Sequence, residues 1–357
     1  MFDQLTGNER VKELLKRILA AGRVPGALLF TGEDGVGKKL FALEIAKALN
    51  CRSPQGVEGC GKCPACLRIA KFNYPQSADS DDWKGLIWTD HPDVGMVVAP
   101  KRVLLVEQMR LIEREANYRP YEGKARVFLV DDAEKLNDPS ANALLKVLEE
   151  PPHTSHLVLL TSRPDMLLPT IRSRCQMIRF SPVSPEEIEA YLLKNKIASA
   201  SEARIRARVS MGSLGRAVAQ DLDGFNEQRK AMLRVLQALS ESDDRIQLLR
   251  SAEELNDAKY KDEYESRLDV LETLIRDAWM LALEAPDESV VNADLLAPLK
   301  KICANLDSRR PAGWISQIEE MREQLIVNIN RKAATDALFL TMAGAAPPLE
   351  RKRFVPK

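Results

Sequence analysis

Three groups of residues in this 357-residue chain have the types and spacing of chemistry. The first lies in GEDGVGKKLFALEIAKALNC, from Gly32 to Cys51. Gly32, Gly37 and Lys38, with Gly35 between them, match G-x-x-x-x-G-K. Such a loop surrounds phosphate oxygens with backbone N–H groups and a helix N-terminus, and its lysine offsets their charge. The pattern then asks for a Ser or Thr hydroxyl on magnesium, and the chain has Lys39. An ammonium only donates, so it cannot ligate a metal. From the residues alone, two readings stay open: a phosphate loop that has lost its metal, or a glycine-rich turn without a ligand.

The second group ends the apolar run VFLVDD. Asp131 fits the acid beside a metal, and Asp132 stands where a glutamate would activate water. It is one methylene shorter, and general-base geometry tolerates little displacement. Lys39 and Asp132 together predict weak or absent hydrolysis. Binding of ATP or ADP is compatible with both; binding of magnesium is not expected.

The third group is Cys51, Cys60, Cys63 and Cys66, spaced C-x8-C-x2-C-x2-C with Gly and Pro between them. Four thiolates in a chain without secretory features favour a closed, tetrahedral, structural zinc site. An iron–sulfur cluster shares C-x2-C-x2-C, but its bacterial run continues x3-C-P, which residues 67–70 do not supply. Unliganded thiols are the third reading. Thr161 ends the apolar run at 156–162, where open α/β sheets bind ligands, whereas Arg174 in Ser173-Arg174-Cys175 and Arg216 in GSLGRA are unremarkable singly.

Lys+Arg and Asp+Glu balance at 52 each, which argues against autonomous DNA binding through a diffuse positive field. No apolar run approaches the roughly 18–20 residues of a membrane span, and MFDQLTGNERVKELL has no signal-peptide layout. A cytoplasmic location and no membrane partner are expected.

These residues need a frame. Apolar runs at 26–32, 94–100, 125–132 and 156–162 read as strands, and helical patterns at 8–22, 38–49, 103–118 and after Asp138-Pro139 alternate with them. The economical fold is a parallel sheet with helices on both faces. Residues 72–92 are polar and irregular, read as a surface loop of little order. From about 182 only helical periodicity remains, beginning with a Ser184-to-Glu187 capping pattern and ending with a single helix over 315–342.

Taken in order, the glycine loop, the four-cysteine insertion, VDDAEKLNDPSANALLKVLEEPP, the S-R-C triplet and GSLGRA resemble the AAA+ clamp-loader subunits of bacterial DNA polymerase III. By motif the resemblance covers about residues 2–220. It implies an α/β plus all-α chain: an AAA+ domain with a zinc module over 1–181, a three-helix lid over 182–240, a helical collar over 241–345, and a basic flexible tail over 346–357. It also implies that Arg174 is an arginine finger delivered in trans to a neighbour's ATP, with Thr161 at sensor 1 and Arg216 at sensor 2. The implied partners are the tau/gamma and delta subunits in a hetero-oligomeric ring and, through it, the sliding clamp and primer–template DNA. The ATP-hydrolysing tau/gamma motor shares the cysteine spacing and S-R-C but needs an intact G-K-[ST] and an Asp-Glu pair. Lys39 and Asp132 depart on both counts, so a non-motor subunit of the nucleotidyltransferase holoenzyme fits better.

Overall fold

The computed structural model describes residues 2–77, 80–240, 245–304, 306–326 and 330–344. The tail at 346–357 lies outside them. The chain divides between Ala219 and Gln220 into two compact units.

The first unit opens with α1 (Glu9–Ala20), β1 (Ala27–Thr31), α2 (Lys38–Asn50) and α3 (Pro64–Ile69). It continues through β2 (Ile87–Trp88), β3 (Val94–Val97), α4 (Val106–Ala116), β4 (Arg126–Val130), α5 (Asp138–Glu149) and β5 (Ser155–Thr161). Then come α6 (Pro169–Arg172), β6 (Gln176–Arg179), α7 (Pro185–Lys194), α8 (Ala200–Val209) and α9 (Leu214–Ala219). The strands form one sheet in the order β2-β3-β4-β5-β1-β6, parallel throughout except for β2. Every residue of β1, β4 and β5 is buried, because helices cover both faces and leave no side for water.

On one face Leu28, Phe30, Val127 and Val158 pack with Val11 and Leu15 of α1 and Phe41 and Ile45 of α2. On the other, Leu29, Phe128 and Leu157 pack with Met109 and Ile112 of α4 and Leu144 and Leu148 of α5. Alternate residues of each strand face opposite ways, so neighbours such as Leu28 and Leu29 serve different cores. Helices α7, α8 and α9 enclose a smaller core of Ile188, Leu192, Ala203, Ala207 and Ala217. Helix α7 starts at the expected capping box: the Ser184 hydroxyl accepts from the Glu187 N–H at 3.3 Å, and the Ser184 N–H donates to the Glu187 carboxylate at 3.2 Å.

The second unit is helical: α10 (Leu222–Ser240), α11 (Arg245–Leu255), α12 (Tyr264–Ala282), α13 (Leu296–Cys303), α14 (Arg310–Ile326) and α15 (Arg331–Met342). Helix α12 is its centre, with Leu268, Leu271, Leu274, Ile275 and Ala278 fully buried. Helix α10 packs against α11 and α12 and so belongs to this unit, although the resemblance implied that it is part of the three-helix lid.

Three local expectations are corrected. Strand β6 was not expected, because Gln176–Arg179 buries only Ile178 and carries no continuous apolar signal. The single helix expected over 315–342 is two helices, the second capped by Asn330, whose side chain accepts from the Ala333 N–H at 3.2 Å. Residues 72–92 are ordered by a turn at Asp81–Lys84, by β2 and by pairing of Phe72 with Thr89; within them, 78–79 lie outside the described residues.

Candidate functional site

Parallel register brings the motif residues to one edge of the sheet. Thr31 is beside Thr161, Gly32 N–H donates to the Thr161 carbonyl at 3.2 Å, and Asp131 N–H donates to the Val97 carbonyl at 3.0 Å. The glycine loop, Asp131 and Thr161 thus converge at the C-terminal ends of the strands, where open α/β sheets place their sites.

The loop is engaged with its own chain. Lys38 is buried, and its ammonium donates to the carbonyls of Gly32 at 2.5 Å and Glu33 at 2.9 Å and faces Asp34 at 3.4 Å. Lys39 reaches Asp131 Oδ2 at 3.3 Å and the Tyr74 hydroxyl at 2.9 Å. Burial by itself would lower the Lys39 pKa, but Asp131 and Tyr74 outweigh it and raise the pKa above its ordinary value. The ammonium therefore lies against Asp131, the carboxylate that the sequence pattern would set beside a metal. Asp132, at a φ of 49°, pairs instead with Lys135 at 2.7 Å.

From the other side, Ser213 and the first turn of α9 lie directly on the loop. Gly215 N–H donates to the Gly35 carbonyl at 2.9 Å. Gly35 has a φ of 76°, and a Cβ there would lie 2.2 Å from the Ser213 hydroxyl, so only glycine fits this approach. Thr161 is buried, and its hydroxyl accepts from the Arg163 N–H at 3.0 Å, which shapes the turn after β5. Arg216 is exposed, and its backbone N–H donates to Ser213 at 3.2 Å.

Arg174 follows α6 and is held by two groups: Glu149, at the end of α5, at 2.7 Å and the Thr170 carbonyl at 3.0 Å. About a third of its side chain is exposed, at 34%. Sequence reasoning missed Glu149, Tyr74 and Phe72 as members of these sites. For Tyr74 and Phe72 the only signal was aromatic residues in a segment otherwise too polar to form a core.

The four cysteines come together. Their Sγ atoms lie within 4.8 Å of one another, and Cys51 and Cys63 are 3.8 Å apart. A metal with four thiolates at about 2.3 Å needs a tetrahedral edge of about 3.8 Å, so the set fits one ion. Cys51 ends α2, Cys63 caps α3 ahead of Pro64, and Cys66 lies one turn further on. Backbone N–H groups of Ser53 and Cys60 point at Cys51 Sγ at 3.4 and 3.2 Å, and that of Cys63 points at Cys60 Sγ at 3.3 Å. At Cys63 burial opposes ionisation, but N–H donors and neighbouring thiols bring its pKa down to about 6. Such donors suit thiolates, and four protein ligands leave no open position for chemistry. The module is tied to the sheet domain through Glu122, which pairs with Arg68 and Arg52 and whose N–H donates to Asp93 at 3.0 Å.

Comparison with known proteins agrees with this frame. The family model described as DNA polymerase III, delta subunit, matches residues 7–184, and that described as DNA polymerase III, delta subunit, C terminal, matches residues 224–339. The DNA polymerase III subunit delta' of Escherichia coli is 31% identical over 324 residues, covering 90% of this chain and 89% of that protein. The delta' of Bacillus subtilis is 26% identical over 333 residues, covering 93% of this chain and 95% of that protein. The Escherichia coli tau subunit is 33% identical, but over only 60% of this chain and 31% of its own length. The fold and these relatives define a subunit of the DNA polymerase III clamp loader, of the AAA+ class. Within that class the chain belongs to the delta-prime family, whose members it matches along nearly their whole length. Among the described residues, no helix is long and apolar enough to cross a membrane.

Proposed function

We propose that this chain is a non-motor subunit of the clamp-loader ring: it scaffolds the assembly and donates Arg174 in trans to the ATP site of a tau/gamma neighbour. In this reading residues 1–181 form the AAA+ domain, helices α7–α9 up to Ala219 the lid, and the helical unit from Gln220, α10 included, the collar that joins it to tau/gamma and delta. The ring then loads the sliding clamp on primed DNA. The four-cysteine set holds a structural zinc ion.

One observation supports this reading above others. The chain's own loop is engaged internally, with Lys39 on Asp131 and Asp132 on Lys135, while Arg174 remains partly exposed with its guanidinium oriented. A guanidinium placed against a transferring phosphoryl group stabilises the charge that develops there, and such fingers contribute strongly to turnover. Nothing in that role requires the chain to split nucleotide itself.

The test is to assemble the loader with Arg174→Ala and measure DNA-stimulated ATP turnover. The expected result is a fall of about tenfold or more in kcat at the site this chain completes, with KM for ATP little changed. Unchanged turnover in an intact assembly rejects the finger. Robust turnover by the isolated chain, abolished by Lys38→Ala, would reject the non-motor assignment.

A further inference from the structure

The segment from 71 to 90, described at residues 71–77 and 80–90, has no place in the function just described, yet it is built onto the phosphate loop. Asn73 N–H donates to the Trp88 carbonyl and Asp90 N–H to the Lys71 carbonyl, both at 2.9 Å, which folds the segment back on itself. Its far end is tied down twice: Trp83 Nε1 donates to the Ser77 carbonyl at 2.8 Å, and Gln108 Nε2, from α4, donates to the Trp83 carbonyl at 2.9 Å. These bonds carry Phe72, Tyr74 and Trp83 into one aromatic row, with centroids 5.8 and 6.3 Å apart.

The Lys39 ammonium lies against that row. It is 5.4 Å from the centroid of Phe72, besides its bonds to the Tyr74 hydroxyl and Asp131. Aromatic faces attract cations, and a carboxylate fixes their position. Three contacts from two distant parts of the chain hold one charge. A divalent ion would have to displace it, meet its repulsion and give up water, which magnesium does reluctantly.

We propose that Lys39 is a resident cation at the metal position of the phosphate loop, caged by Phe72, Tyr74 and Asp131, and that the 71–90 segment is a strap whose work is to keep divalent metal out. The site's specificity then follows from these side chains: it takes no metal–nucleotide complex, and a nucleotide that enters does so without magnesium. The proposal rests on reading residues 32–39 as a phosphate loop and is independent of the role of Arg174.

The experiment uses the full chain and three variants. Lys39→Met keeps the length and removes the charge, Tyr74→Phe removes only the hydroxyl, and Lys39→Thr supplies the hydroxyl that the loop pattern asks for. Hydrogen exchange should show that Lys39→Met loses about tenfold or more of the protection across 71–90, Tyr74→Phe loses less, and β4 and β5 are unchanged in both. A fluorescent ADP analogue, titrated in EDTA and in millimolar magnesium, should give wild-type curves that differ by less than about twofold. Lys39→Thr should bind about tenfold or more tightly with magnesium than without. Wild-type binding that magnesium strengthens about tenfold would overturn the proposal. Unchanged exchange across the strap in Lys39→Met would overturn the cage, and a Lys39→Thr chain indifferent to magnesium would overturn the role of Lys39 in excluding it.

Discussion

Arg174 and Glu149 show how much a single contact can be asked to do. The guanidinium is held at two points, by the Glu149 carboxylate at 2.7 Å and the Thr170 carbonyl at 3.0 Å. Both partners of the ion pair are substantially exposed, so the pair contributes little to stability, about 0.2–1 kcal/mol by comparison with other surface pairs. Its value is in orientation. If Arg174 acts in trans, Glu149→Ala should lower kcat of the assembled loader by at most about fivefold, the upper end of the same energy read as rate. Glu149→Gln, which keeps an acceptor oxygen, should lose less, and KM for ATP should not move. A Glu149→Ala loss as large as that of Arg174→Ala would mean that Glu149 does more than orient. No loss at all, with Arg174→Ala still defective, would mean that the Thr170 carbonyl suffices.

At the scale of elements, β5 carries a titratable group that a buried strand would usually avoid. His156 is 7% exposed, and its Nδ1 lies 3.0 Å from the Pro25 carbonyl. Burial lowers its pKa below the ordinary 6.5, although the carbonyl opposes the shift. The unfolded chain therefore takes up this proton first as pH falls, so the contribution is intact above about pH 6.5 and is lost as pH drops towards the folded-state pKa. The loss is about 1.4 kcal/mol for each pH unit separating the two pKa values. Thermal unfolding followed from pH 7.5 to 5 should show a declining midpoint below about 6.5, and His156→Asn should flatten that decline. An identical slope in the variant would assign the effect to other groups.

Elements also show what the sequence could and could not reveal. Strands β1, β4 and β5 were legible because burial on both faces writes a continuous apolar run, and the cysteine cluster because metal spacing is local. Strand β6, with one buried residue, writes no run. The strap escaped because its order comes from partners far along the chain: Lys39 is 35 residues from Tyr74, and Gln108 is 25 from Trp83. The break between α14 and α15 escaped because both helices continue apolar periodicity across it.

The whole molecule is two compact units, each with its own core, and this makes their stabilities separable. In the first unit the four-cysteine set joins α2 to α3, and through Glu122 it meets Arg52, Arg68 and the loop held by Asp93. In the second unit Arg322 of α14 reaches Asp269 and Glu272 of α12 at 2.6 and 3.0 Å, with Glu265 and Glu319 also within 3.5 Å. One cation among four carboxylates cannot satisfy all of them, and burial foremost raises the Glu272 pKa above its ordinary value. A raised folded-state pKa means that ionised Glu272 opposes folding at neutral pH. Glu272→Gln should therefore be neutral or slightly stabilising. Arg322→Met, which leaves the acids facing one another, should cost about 1–2 kcal/mol, because three of the four carboxylates are more than half exposed and screened by water. Calorimetry of the full chain should resolve the two effects. Arg322→Met should lower one transition and leave the other in place, whereas a strong zinc chelator should lower only the transition that Arg322→Met spares, because a metal that binds the folded set stabilises that unit alone. A single transition that both treatments shift equally would show that the two units unfold as one.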